Sequence, residues 1–270
     1  MSALDTLTLL ACGLPLMLFA IGSLRLWHRS RRKQASIVLR LAVGGAGFAA
    51  LALTLMPPLH EWAEALFSVH MINHGVLMAA AAPLLILGRP GPLMLWALPR
   101  PLRRLLGRWT AQIGANAAWR ALLRPLTASL VHGAAIWLWH VPVFFVGALH
   151  SEWVHWFQHA SFLLTALLFW WVILGFRHLR SDAGVSIAWL FVTALHTGLL
   201  GALLTFSFRL WYPPSTGTAE WGLTALEDQQ LAGIFMWMPV GLIYAVAALA
   251  LAAQRISSSP LQKELGNAAR

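Results

Sequence analysis

Four histidines stand in two pairs with helical spacing: His70 with His74, and His155 with His159. Residues four apart share one face of a helix, so each pair can turn two imidazoles toward one small ion. The chain has 11 histidines in all, many for so apolar a sequence, because an unpartnered imidazole in hydrocarbon is costly. Imidazole suits copper, zinc, iron and nickel, and nearby thioethers would tilt the choice to Cu(I), although Met236 and Met238 themselves read as packing residues. With Cys12 as the single cysteine there is no intramolecular disulfide and no thiolate-pair metal site. Few carboxylates lie near the histidines, which argues against magnesium or calcium. Haem is the competing ligand, since two histidines from different helices can clamp its iron. Pairs on one helix are better explained by convergence on a small ion. Ser68 and Ser161 have histidines nearby but no orienting group or oxyanion site, so the sequence does not read as an enzyme.

The elements that must position these groups are membrane helices. Hydrophobic residues make up 59% of the 270 residues and charged residues only 10%, far from the ~25% charge of soluble domains. Apolar runs fall at about 4–27, 35–56, 65–88, 125–148, 153–175, 185–208 and 229–252. Each is roughly 20 residues, the length that crosses a bilayer core at ~1.5 Å per residue. Helix breakers mark the connectors: Pro57-Pro58, Pro90-Gly91-Pro92, Pro99 to Pro101 and Pro213-Pro214. Residues 101–113 read as a short amphipathic helix on the inner surface. The sequence predicts an all-α, polytopic membrane protein of seven transmembrane helices. Residues 1–253 form the membrane domain, and residues 254–270 form a polar cytoplasmic tail.

The net charge of +10 does not indicate nucleic-acid binding, because Lys and Arg cluster in short segments between apolar runs: Arg29 to Lys33, Arg100 to Arg124 and Arg177 to Arg180. With the N-terminus outside and the C-terminus in the cytoplasm, only Arg209 of the 19 Lys and Arg falls outside. Asp5, Glu61, Glu64, Glu152, Glu220, Glu227 and Asp228 fall outside as well. The basic cluster follows the first apolar run instead of preceding it, so this run reads as a retained helix of an inner-membrane protein and not as a signal peptide. In this orientation the two histidine pairs lie within ~15 Å of the outer surface, counted at 1.5 Å per residue. His140 lands at a similar depth, about eight residues before the outer end of its run. His132 and His196 lie deeper and read as interhelical hydrogen-bond partners, His60 and His150 as solvated loop residues, and His28 and His178 as inner-surface residues. Arg209 is expected to pair with Glu227 or Asp228 at the start of the last helix.

Five segments carry a family resemblance. They are His70-Met71-Ile72-Asn73-His74, Ala82-Pro83-Leu84-Leu85, Trp139-His140-Val141-Pro142, Gln158-His159-Ala160-Ser161-Phe162, and Leu226-Glu227-Asp228-Gln229-Gln230-Leu231-Ala232-Gly233. In this order, across about residues 60 to 250, they resemble the CtaG family of polytopic proteins implicated in assembling haem–copper cytochrome c oxidase. Two positions depart from the pattern: Asn73 stands where glutamine is usual, and Pro213-Pro214 replaces a second aromatic. The resemblance implies copper binding in a histidine-rich site on the outer side of the membrane and assistance in copper insertion. It implies His70, His74, His140, His155 and His159 as metal ligands, with Asp228 as a polar partner at the site. An oxidase subunit and a copper donor protein would then be partners, besides the lipid bilayer. Two other functions stay open, a haem-binding electron carrier and a metal transporter. Transport predicts polar groups through the full membrane thickness, and here they thin out below the outer layer apart from His132 and His196.

Overall fold

The computed structural model describes residues 3–29, 34–57, 59–174 and 183–257. Segment 30–33, Pro58, the Arg177–Arg180 cluster with His178, and the tail beyond Ser257 lie outside the described residues. The chain begins with two long helices, α1 (Ala3–Arg29) and α2 (Gln34–Leu55), then a short α3 (Leu59–Ala65). The next span is composite: α4 (Phe67–Gly75), a π-helical turn (Val76–Ala81) and α5 (Ala82–Gly88). Three helices connect it onward, α6 (Pro90–Ala97), α7 (Arg100–Ala115) and α8 (Ala117–Leu122). After α9 (Pro125–His140) and α10 (Pro142–His150) come α11 (Glu152–Leu174), α12 (Ala183–Thr205) and α13 (Ala225–Ser257). The described residues contain no strand.

Six helices are long and apolar enough to cross a membrane, and the bent pair α9 and α10 makes a seventh when taken as one span. The protein is an all-α polytopic membrane protein. Its long helices turn large apolar side chains outward, among them Leu39, Leu164, Leu195 and Leu249. Water would reject such a surface, and lipid accepts it. The core sits around the composite α4–α5 span, the most enclosed of all, where Met71, Leu77, Phe162, Phe169, Trp170 and Tyr244 are nearly fully buried. Helix α7 buries none of its side chains, as an amphipathic surface helix would, and extends slightly beyond the 101–113 expected.

Two boundaries differ from the sequence reading. The run at 125–148 is not one straight helix: it bends by 72° after His140. Val141 is extended (φ −66°, ψ 127°) because the ring of Pro142 excludes it from the helical region, and Pro142 then opens α10 at a position where no N–H is needed. His140 is therefore the last residue of its helix, not a residue two turns inside one. At the C-terminus, α13 continues through Gln254 to Ser257, past the expected start of the tail.

The orientation is testable through the charge asymmetry. Reporter fusions at Leu95 should read cytoplasmic and fusions at Ser215 external. A cytoplasmic signal at Ser215 would break the alternation and overturn the N-out, C-in arrangement.

Candidate metal centre

The site is built by capping and by one irregular turn. Thr224 and Glu227 form a capping box at the start of α13: the Glu227 Oε2 accepts from the Thr224 N–H and hydroxyl, both at 2.8 Å, and the Thr224 hydroxyl accepts from the Glu227 N–H at 3.2 Å. The next residue, Asp228, is 1% exposed and points to a different helix. Its two carboxylate oxygens accept from the backbone N–H groups of Phe67 (2.8 Å) and Ser68 (3.0 Å), the first residues of α4. Gln229 accepts from the Trp211 N–H (2.7 Å) and donates to the Arg209 carbonyl (3.0 Å), while Gln230 donates to the Ser207 carbonyl (3.1 Å). This polar block is thus a staple that fixes α13 to α4 and to the loop after α12. Among the described residues, neither Glu227 nor Asp228 forms an ion pair with Arg209, because helix N-termini already occupy both carboxylates.

The π turn follows His74 directly and has a cause in the sequence. Pro83 has no N–H and would crowd the carbonyl four residues earlier in a regular helix. The turn widens, and the Ala82 N–H reaches back to the Leu77 carbonyl. That shift leaves the Met78 carbonyl without a helix donor, and the Trp170 indole donates to it at 2.9 Å. Helix α11 is thereby pinned to the composite span, one helical face of each turned to the other.

The result is a cluster of five imidazoles from three helices. On α4, His70 and His74 have ring centroids 4.4 Å apart; on α11, His155 and His159 are also 4.4 Å apart. Between the helices, His70 lies 5.3 Å from His155 and His74 lies 5.1 Å from His159. The fifth is His60 on α3, 5.7 Å from His155 and 6.5 Å from His159, with its Nε2 3.8 Å from Glu64. Phe145 packs edge-on against His70 at 5.3 Å and Phe162 against His74 at 4.7 Å, closing the apolar side.

His140 stands at the edge of this group, sharing Phe162 with His74. Its Nδ1 donates to the Ile136 carbonyl at 2.7 Å, which leaves Nε2 as the free nitrogen. The carbonyl of His140 is one that the helix end leaves open, and the Tyr212 hydroxyl donates to it at 2.7 Å. Burial pushes the Tyr212 phenol above its ordinary range, which keeps it a donor.

Several of these polar atoms are buried without any protein partner: Nε2 of His70, His140 and His155, both ring nitrogens of His74, and both side-chain polar atoms of Asn73 and Gln158. Buried polar groups are ordinarily bonded, so such a concentration sets this region apart from an apolar packing core. No three His, Cys, Asp or Glu side chains among the described residues are arranged to hold a metal ion as they stand. The rings stack and pack edge to face instead of aiming at one point. The spacing nevertheless suits an ion, because one held ~2.0–2.1 Å from each ring nitrogen keeps two imidazole centroids roughly 5–6 Å apart. Two clefts reach the cluster, and they bring more carboxylates beside the histidines than the sequence suggested. One, of about 410 Å³, is lined by His70, His155, Glu64 and Glu152; the other, of about 530 Å³, by His60, His155, His159, Glu61, Glu64 and Glu152.

The remaining candidates lie elsewhere. The His132 Nδ1 sits 3.1 Å from the Thr165 hydroxyl, and His196 accepts from the Trp137 indole at 3.3 Å, as interhelical partners. His150 is exposed on the Val146 carbonyl, Met236 is buried in the core, and Met238 faces outward. The sequence reading missed His60, set aside as a loop residue. Its spacing from Glu64, four residues on, is the local signal that marks α3 as a helix carrying both toward the site.

Fold and site define a multi-pass α-helical membrane protein whose buried histidine cluster opens to two acid-lined clefts. A family model described as cytochrome c oxidase caa3 assembly factor matches residues 17–258. The chain belongs to that family. It is 28% identical over 236 residues to an uncharacterized protein of Mycobacterium bovis and to one of Mycobacterium tuberculosis, covering 83% of this chain and 35% of each relative. An uncharacterized protein of Mycobacterium leprae is 26% identical over 230 residues, covering 80% of this chain and 34% of the relative. The chain thus spans about a third of the length of these curated relatives. No solved structure matches it.

Proposed function

We propose that the histidine cluster binds copper on the outer side of the inner membrane and holds it for insertion into a haem–copper oxidase. The observation that carries this reading is the meeting of His70, His74, His155 and His159, with four of their ring nitrogens buried and unpartnered. Small rotations of these side chains turn the free nitrogens onto one ion, and His140 supplies a further nitrogen from the edge. An all-imidazole site without thiolate suits copper and lets the ion pass to a stronger receiving site. Asn73 and Gln158 are the buried amides beside it that can orient rings. Membership of an oxidase-assembly family supports an oxidase as the client, and this reading implies a copper donor protein and an oxidase subunit as partners. The protein acts by binding and handing over its cargo, not by catalysis. Haem is the competing ligand, and two helical His pairs converging on one small ion favour copper over it.

The test is elemental analysis and an absorption spectrum of the purified protein. His70→Ala and His159→Ala should each lower bound copper by a similar factor, at least the ~10–100-fold that losing an outer-shell partner costs. His28→Ala, on an exposed surface away from the cluster, should leave copper unchanged. Full copper occupancy in both cluster variants, or a Soret band in the wild type, would overturn the reading.

A further inference from the structure

We propose, building on the copper reading above, that the cluster is a two-position relay: His60, Glu64 and Glu152 load the ion at the cleft mouth, and His70, His74 and His159 retain it at the buried end. The imidazoles form a graded series in depth. The His60 side chain keeps 30% of its surface exposed, whereas His70 is 4% and His74 2% exposed. From the mouth inward the ring-to-ring steps are 5.7 Å (His60 to His155), 5.3 Å (His155 to His70) or 4.4 Å (His155 to His159), and 5.1 Å (His159 to His74). No step exceeds the roughly 5–6 Å at which two imidazoles can share one ion. An ion can therefore pass from pair to pair without being released into the hydrocarbon.

The mouth has a different chemistry from the bottom. Glu64 and Glu152 line both clefts, Glu61 lines one, and no Lys or Arg lines either. His70, whose Nε2 is buried without a protein partner, lines the first cleft together with Glu64 and Glu152, so the acids open onto a free ligand nitrogen. Carboxylates are hard ligands that hold Cu(I) poorly, yet a cleft lined by one sign of charge concentrates cations. The acids should govern how fast the ion arrives, and the buried imidazoles how tightly it stays.

Rate and affinity separate the two positions experimentally. The full-length protein in detergent is mixed with Cu(I) under reducing conditions, with loading followed by stopped flow and affinity by titration against a chromogenic Cu(I) chelator. A Glu64→Gln, Glu152→Gln double variant should load about 10-fold more slowly at low ionic strength, the difference shrinking with added salt, while its equilibrium affinity stays at the wild-type value. His60→Ala should also load slowly, without the salt dependence, whereas His70→Ala should lose affinity. Wild-type loading rates in both mouth variants, or a loss of affinity in them equal to that of His70→Ala, would overturn the relay and leave the copper reading standing. A wild-type protein that binds no Cu(I) would overturn both.

Discussion

Asp228→Ala should destabilise the protein by on the order of 3 kcal/mol, more than an ordinary helix cap is worth, because two charge-assisted hydrogen bonds are lost together in a buried setting. The Asp228 carboxylate is 1% exposed and caps the N–H groups of Phe67 and Ser68. Among the described residues no cation pairs with it, so the compensation comes from the N-terminus of α4, whose free N–H groups and dipole favour an anion there. Without the carboxylate those two N–H groups are orphaned in an interior that offers little else to bind. The first turn of α4 should then fray, and His70 lies one turn further along, its own N–H bonded to the Leu66 carbonyl at 3.0 Å. On the proposed copper reading, copper affinity should fall along with stability. Asp228→Asn is the informative second variant: its single carbonyl oxygen can serve one N–H while its amide group faces the other, so it should recover little. The measurements are thermal unfolding in detergent and chelator titration. An Asp228→Ala protein with wild-type Tm and wild-type copper binding would show that the contact carries no energy.

The membrane spans were legible because bilayer thickness and the solvation of the backbone impose run length directly on the sequence. The four histidines that meet between α4 and α11 were legible as pairs, because helical spacing fixes which residues share a face. That the two faces meet was not legible, since it depends on the π turn at Pro83 and on the Trp170 bond to the Met78 carbonyl, 92 residues apart. The bend at Val141-Pro142 was written in the sequence, but unbroken hydrophobicity on both sides concealed it. His60 escaped because α3 lies outside the apolar runs, and only packing brings it to His155. Asp228 reads locally as one more acid in the first turn of a helix. Its partners are 160 and 161 residues away, and no local pattern encodes a cap donated across the bundle.

The second large effect is expected where α12 meets α13. A Cβ on Gly233 would press into the Thr205 hydroxyl and lie 2.5 Å from the Gly201 carbonyl oxygen and 2.6 Å from the Thr205 nitrogen. A Cβ on Gly201 would lie 2.7 Å from the Gly233 carbonyl oxygen and 2.9 Å from the Trp237 nitrogen. Most of these neighbours are backbone, which cannot swing aside, so the helices themselves must separate. In a membrane such close approach is a main source of helix–helix adhesion, because lipid packs against apolar side chains as well as another helix does. Overpacking a tight contact costs about 1–3 kcal/mol, and a rigid backbone neighbour puts Gly233→Ala at the upper end. Gly233→Val should exceed that and leave little folded protein. The damage should also reach the histidine cluster, since Asp228 lies on α13 less than two turns away and its cap on α4 depends on where that helix sits. Gly241 on the same helix provides the control, with nothing within 4 Å of the position its Cβ would take. Gly241→Ala should be neutral or stabilising by roughly 0.5–1 kcal/mol, the helix-propensity difference. Unfolding in detergent and the yield of monodisperse protein read both. If Gly233→Ala and Gly241→Ala behave alike, the contact between α12 and α13 is looser than the distances imply, and the staple at Asp228 must hold α13 without it.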